Sequence, residues 1–457
     1  MDETFKLAEF AINTAFDDMP IELITKGKER VLDTMGCILA GCYGQVGEII
    51  LQHIKDIGGT PDSTVLGYGH KTSVQNTALA NGTIGHALDF DDSQLSLIGH
   101  GSVVMLPAVL SIAEKERISG EKVLEAFLIG FEVACKIGLA VNPKLYNNGW
   151  HATGVIGVLG AAAAAGKLLG LNTHKMASAL GIASSLSCGL KQNFGTMTKP
   201  LHAGKAAENG IISAMLAKQG FTAATDILEA PKGFCSMFSG EYALNNMVNN
   251  LGDPYELISP GVHTKPYPCC QSAFSIIEAT ISLAEEHDIK AEDVELAECT
   301  MTPLMTGALV YNSPKTALEG KFSAQFLIAI SLLDRRVSLD QFTDEKMIDP
   351  KIVNLIEKIK TVRDSDFDWI SPSSNSNPSR VKIKLKGGRE FSKKVGIAKG
   401  NPEKPLSEKE LENKFRGCAE TIIGREGVDQ SIDMIWNLEK IQDINQLIDV
   451  VSAKRSK

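Results

Sequence analysis

The sequence predicts a mostly α-helical large domain whose two halves flank a smaller α+β domain, and three observations carry that prediction. Over residues 7–247 apolar side chains recur at intervals of three and four. Ile21, Leu23, Ile24, Val31, Leu32, Met35, Ile38 and Leu39 are one such run, the spacing of helices stacked through one face. After Tyr267 the pattern changes. Val294–Met301 reads as a strand, and residues 381–385, Gly387-Gly388 and residues 391–395 read as a hairpin, with helices at 322–333 and 352–359 between them. Gly400-Asn401-Pro402 and Lys404-Pro405 then break the pattern, and Ser407-Glu408-Lys409-Glu410 is a capping box that opens a helix returning to the large domain. The expected boundaries are residues 1–264 for the first helical part, 265–400 for the α+β domain and 401–457 for the helical return. The stretch 371–379, rich in Ser, Asn and Pro, is the most linker-like, and no internal repeat is visible.

Within the helical part, Asn81-Gly82-Thr83-Ile84-Gly85-His86-Ala87-Leu88-Asp89-Phe90-Asp91-Asp92-Ser93, followed by Gly99-His100-Gly101-Ser102, concentrates carboxylates and imidazoles. Neighbouring groups of these two kinds push each other's pKa values apart, so the cluster is a candidate acid/base site. A solvated helix end with an Asx cap is the alternative. Next, Tyr146-Asn147-Asn148-Gly149-Trp150-His151-Ala152-Thr153-Gly154 leads into the apolar run 155–166, which Lys167 stops far short of the roughly 20 residues that cross a bilayer. That run reads as a central core helix with His151 just ahead of its first turn, where free N–H groups favour an anion. A satisfied near-core histidine is the competing reading.

The third constellation is Gly195-Thr196-Met197-Thr198-Lys199-Pro200-Leu201-His202-Ala203-Gly204-Lys205. Lys199, preceding a proline, is expected to be extended, with its ammonium free to enter a cleft, while His202 opens the next helix. A capped surface turn with a solvated lysine is the bland alternative. The fourth, Lys265-Pro266-Tyr267-Pro268-Cys269-Cys270-Gln271-Ser272, is a rigid bend ahead of a helix. Adjacent thiols share one tetrahedral metal poorly, and the chain has no C-x-x-C pair, which disfavours zinc and iron–sulfur ligation by the usual spacings.

The four motifs, in this order and spacing, make the chain similar to the MmgE/PrpD family. The family's NG-x-x-x-H-x-x-DFDD, G-[FW]-H-x-T-G, KP-x-HAG-x-A and KPYP-x-C are matched by residues 81–92, 149–154, 199–206 and 265–270. The resemblance implies a mostly α large domain plus a smaller α+β lid domain, a homodimer, and chemistry without metal or organic cofactor. It also implies that Asp89, His100, His151, Lys199 and Tyr311 serve catalysis, with Ser93 and His202 binding substrate. Beside it, Tyr146 reads as an alternative catalytic acid or base, and Lys265, from a local basic pocket, and Cys270 as further substrate-binding residues. Gln271-Ser272-Ala273-Phe274 stands where many members carry a histidine, so the lid-side proton donor stays open.

Composition sets bounds. The 457 residues allow two or three domains, and 44% hydrophobic residues suffice for a sizeable core. A net charge of −9 argues against a nucleic-acid partner, so an anionic substrate has to be drawn by local cations. Nine cysteines without framework spacing suit a reducing cytoplasm, and the acidic N-terminus lacks an apolar signal core, so neither secretion nor a membrane partner is expected. The expected reaction is β-elimination of water from a small hydroxy di- or tricarboxylate, as in 2-methylcitrate dehydration. His151 is the base, Asp89 tunes an imidazole, and Lys199 and His202 stabilise charge on the substrate carboxylate. Decarboxylation of cis-aconitate, epimerisation of iminodisuccinate, and a catalytically silent dimeric scaffold are the alternatives. In each enzymatic case the partner is a small anionic carboxylate closed in by a lid that brings Tyr311 to the site.

Overall fold

The computed structural model describes residues 2–364 and 377–452, and these fall into two compact units, Met1–Val262 with Ser407–Lys457, and His263–Leu406. The first unit is helical, as its spacing predicts. Helix α1 (Ile21–Gly41) starts after Pro20 and buries most of its length. α2 (Val74–His86) begins at Ser73, whose hydroxyl accepts the Asn76 N–H, and is buried on every side. α3 (Ser102–Glu116) and α4 (Gly120–Val141) are nearly as apolar. The run expected as a core helix divides at Ile156 into a short turn, Ala152–Val155, and α5 (Gly157–Leu168), whose first ten residues are buried.

α6 (Thr198–Lys218) corrects one expectation. Lys199 is helical rather than extended, because Pro200 sits in the first turn, where an α-helix has no use for the missing N–H. Against α2, glycine replaces side chains altogether: a Cβ on Gly82 would lie 2.7 Å from the Gly204 Cα, and one on Gly204 would lie 2.2 Å from the Leu79 carbonyl oxygen. The two backbones therefore touch, which brings the polar end of α2 beside the polar start of α6.

The second unit has its own core. Helix α7 (Phe274–Glu286) and strand β1 (Val294–Met301) fall where the pattern places them, followed by α8 (Ala324–Asp334). The expected helix at 352–359 is cut short: it spans Pro350–Ile356, and Ile359–Arg363 forms strand β2, parallel to β1 with Ala297 opposite Ile359. A short β-branched run after a helix is ambiguous in sequence, and the open edge of β1 decides it. The hairpin β3 (Ser379–Leu385) and β4 (Glu390–Val395) pairs antiparallel, giving the order β2-β1-β3-β4. Alternate residues of β3, among them Val381, Ile383 and Leu385, face the core shared with Phe274, Ile277 and Leu327. Most of the linker-like stretch, residues 371–376, lies outside the described residues.

The chain then returns to the first unit through α9 (Glu408–Trp436), kinked at Gly424. The capping box is formed as expected: Ser407 accepts the Glu410 N–H, and the Glu410 carboxylate accepts the Ser407 N–H at 2.7 Å. Phe415 of α9 lies where a Cβ on Gly36 of α1 would come within 3.2 Å. Among the described residues no single helix is both long and apolar enough to cross a membrane.

Candidate active site

The last turn of α2 ends at His86, and Asp89 turns the chain with a positive φ of 52°, a conformation Asp tolerates better than most residues. That turn directs Asp91 inward. The Asp91 carboxylate is 2.9 and 3.0 Å from His86 Nδ1 and 3.1 Å from His100 Nδ1. His100 Nδ1 also lies 2.6 Å from the Asp92 carbonyl, so both rings donate through Nδ1. Burial alone would raise the Asp91 carboxyl, but His86 and His100 hold it well below the usual carboxylate range. Burial, reinforced by Lys199 and His100, lowers His86 to about 4 despite Asp91. The ion is Asp91, and His86 is neutral with its Nε2 buried and without a hydrogen bond. Burial raises Asp92 to about 6 against the opposing pull of Arg30, and the Ser102 hydroxyl donates to Asp92 Oδ2 at 2.5 Å.

His151 caps the short turn Ala152–Val155 and donates its backbone N–H to the Gly189 carbonyl at 2.9 Å. Its ring stacks on His86 at a centroid distance of 5.9 Å and meets the Phe194 ring edge-on at 4.9 Å. Nδ1 of His151 lies 3.0 Å from Nδ1 of His202, which α6 presents from its first turns. Burial pushes both imidazoles down, with Lys199 adding to each, and His151 is held well below its ordinary range. On the same helix Lys199 Nζ lies 2.5 Å from Asp89 Oδ1 and 5.5 Å from the centre of the Phe194 ring. Neutral imidazoles around one ammonium–carboxylate pair can give and take protons while presenting a fixed positive charge to an anion.

The structure thus brings Asp89, His100, His151, Lys199 and His202 together within the first unit. Ser93, half-buried, follows the Asp91-Asp92 pair directly and opens the short strand Ser93–Gln94. Tyr146 lies in the turn Lys144–Asn147, its ring covered by Lys191 Nζ at 3.5 Å. Lys265, Cys270 and Tyr311 belong to the second unit. There Lys265 is buried, the Cys270 N–H bonds the Lys321 carbonyl at 3.0 Å, and the Tyr311 N–H bonds that of Phe322 at 3.2 Å.

Sequence reasoning assigned no role to His86, Asp91 or Phe194, although the first two lie inside the quoted motif; the five-residue spacing from His86 to Asp91 was the available signal. It also passed over His263, whose Nδ1 is 2.8 Å from the Gln271 amide nitrogen. His86, Asp89 and His100 offer donor atoms within 4.8 Å of one another, the outline of a cation site. The Lys199 ammonium on Asp89 already supplies positive charge there, so the donor set suits an ammonium better than a metal ion.

The chain is an enzyme of the lyase class, as its relatives show, and its imidazole-rich centre offers groups suited to acid/base chemistry. The chain belongs to the MmgE/PrpD family: the MmgE/PrpD N-terminal domain matches residues 5–246 and the MmgE/PrpD C-terminal domain matches residues 267–440. It is 28% identical to a cis-aconitate decarboxylase of Aspergillus terreus, over 98% of this chain and 96% of that protein. To the Homo sapiens cis-aconitate decarboxylase it is 29% identical, over 93% and 89% of the two chains. The mitochondrial 2-methylcitrate dehydratase of Yarrowia lipolytica is 26% identical, over 78% and 72%.

Proposed function

We propose that the chain is a cofactor-independent lyase that forms a carbanion next to a carboxylate of a small di- or tricarboxylate and protonates it. The observation carrying this reading is the Lys199–Asp89 pair beside two neutral imidazoles, His151 and His202. Carbanion chemistry at a carboxylate needs fixed positive charge where negative charge grows, and one such contact is worth about 3 kcal/mol. It also needs a group that exchanges protons near neutrality.

Among the possible reactions, decarboxylation of a cis-aconitate-like acid comes first, because relatives named for it align over nearly the whole chain. CO₂ leaves, the electron pair stays on carbon beside a carboxylate held by Lys199, and an imidazole N–H quenches it. Dehydration of a 2-methylcitrate-like acid is the second reading, supported by the shorter match to a dehydratase and by the same parts run with His151 as base. We take the enzyme to be a homodimer with Tyr311 completing the substrate's surroundings, as the family resemblance implies; Lys265 and Cys270 are proposed to bind substrate as well, and the cysteine usage suits a reducing cytoplasm.

The test offers the protein 2-methylcitrate, citrate, cis-aconitate and iminodisuccinate in turn, following CO₂, double-bond absorbance and chirality separately. CO₂ from cis-aconitate alone is the expected result. Absorbance from 2-methylcitrate without CO₂ would move the assignment to dehydration, and loss of chirality alone to epimerisation. A folded protein inert toward all four would leave the scaffold reading.

A further inference from the structure

The contact between His151 and His202 has a chemical consequence beyond carboxylate binding. Nδ1 meets Nδ1 at 3.0 Å. Between two neutral imidazoles such a bond holds one proton, so one ring donates and the other accepts. The donor ring has a bare Nε2, and the acceptor ring carries its proton on Nε2. The pair therefore offers one base and one acid at its two outer nitrogens.

We propose that His151 and His202 form a proton relay: the His151 Nε2 takes a proton, the His151 Nδ1 proton crosses to His202 Nδ1, and the His202 Nε2 proton leaves to the reacting molecule. In dehydration the substrate C–H proton enters at His151, and the proton leaving His202 goes to the departing hydroxide, so water forms. In decarboxylation the His202 Nε2 proton goes to the carbanion left by CO₂, and a proton drawn from bulk solvent, the one the overall reaction consumes, refills His151. Either way one proton enters, one crosses and one leaves. The pair stays neutral with its tautomers exchanged, and exchange with water or the return transfer resets it.

The surroundings fit this role. His151 and His202 are 2% and 8% exposed, which limits competition from water for the shared bond. Gly189 holds the pair from one side: its carbonyl accepts the His151 N–H, its φ is 134°, and a Cβ there would lie 3.3 Å from His202 Cγ and 3.6 Å from His151 Cβ. Gly154 closes the other approach, since a Cβ would sit 3.2 Å from the His202 Cβ and 2.4 Å from the Cys188 carbonyl oxygen. The charged and titratable neighbours of His151 are Lys199, His86 and His100, and Lys199 is that of His202. Each disfavours a second proton on the pair, which keeps the relay in its neutral, one-proton form.

The proposal takes its substrate from the lyase reading, but the tautomer pairing can be measured without one. Nitrogen-15 spectra of the histidine-labelled wild-type protein should place the proton of His151 on Nδ1 and that of His202 on Nε2; the same tautomer on both rings overturns the relay. In a kinetic arm, His202→Asn keeps an acceptor for His151 but ends the transfer. Its kcat should fall on the order of 10²-fold with KM changed less than about threefold, and the curved dependence of wild-type kcat on deuterium fraction should become linear. Added imidazole should restore part of the rate of His202→Ala. An active wild type with an unimpaired His202→Asn overturns the relay and leaves the lyase reading standing. A wild type inert toward all four acids overturns the lyase reading, and the spectra still decide the pair.

Discussion

Asp91 organises the protonation of the rings around it: it accepts from Nδ1 of His86 and His100, keeps the negative charge, and leaves the Nε2 of the neutral His86 as a lone pair. The acid/base work then falls to His151, with Lys199 supplying charge. His151→Ala or Lys199→Ala should lower turnover by 10²-fold or more, the order expected for a lost base or charge stabiliser, while circular dichroism stays unchanged. Unchanged turnover in both would sink the assignment. Because burial and Lys199 lower His151, the neutral form persists to a lower pH than in a free imidazole. Turnover should stay level from pH 8 to about 6.5 and fall only below it. Stability shares this sign. With His86 lowered to about 4, the unfolded chain binds more protons between there and about 6.5, so the His86 contribution is full above that window and shrinks as pH falls through it. The loss is on the order of 3 kcal/mol, and melting curves of His86→Gln should show a weaker acid-side decline. The motifs made the polar residues visible, but not which atoms meet: Lys199 and Asp89 are 110 residues apart, and their pairing exists only once α2 and α6 touch.

That contact rests on two glycines with no room for a methyl group. In Gly204→Ala the new Cβ would meet the Leu79 carbonyl oxygen and the Thr83 hydroxyl, both at 2.2 Å, and the carbonyl belongs to helix backbone that yields little. The helices must separate, at about 1–3 kcal/mol for the overpacking, and the separation carries Lys199 and His202 away from Asp89. Thermal denaturation should show the loss, and turnover should fall further than stability alone explains. Gly417→Ala in α9, where a Cβ meets nothing within 4 Å, should be neutral or slightly stabilising. Equal melting points for the two variants would refute the packing argument. Helix spacing and the capping box were legible because they are local. The parallel strand Ile359–Arg363 was not, since its identity depends on the free edge of Val294–Met301, more than fifty residues earlier. Lys199 was misjudged for a related reason: a proline usually ends a helix, but in a first turn it costs no hydrogen bond.

At the scale of the whole chain the second unit is continuous in sequence, and the first is closed only by the returning segment Ser407–Lys457. The sequence announced that return through its capping box, but its bearing on the site lies in a contact that no local pattern encodes. Lys414 of α9 places Nζ 2.6 Å from Asp33 of α1, 2.7 Å from the Phe90 carbonyl and 3.9 Å from the centre of the Phe90 ring. Burial alone would lower this ammonium; Asp33, with smaller help from the Cys37 and Cys418 thiols, favours the charge, and its pKa is raised. Phe90 lies between Asp89 and Asp91, so α9 holds the turn that aims both carboxylates. Lys414→Met fills much of the same volume but leaves the buried Asp33 charge with only the more distant Arg30, at 3.9 Å, and leaves the Phe90 carbonyl without its donor. Losing one partner of a buried pair costs about 3–5 kcal/mol, and the loosened turn should lower kcat although Lys414 touches none of the assigned imidazoles. Adding Asp33→Asn should recover part of the stability by removing the charge that Lys414 had neutralised, yet leave kcat depressed, because Phe90 still lacks its tether. Recovery of both together would mean that α9 supports the fold of this unit without holding the site, and an unchanged melting point in Lys414→Met would mean that the pair holds neither.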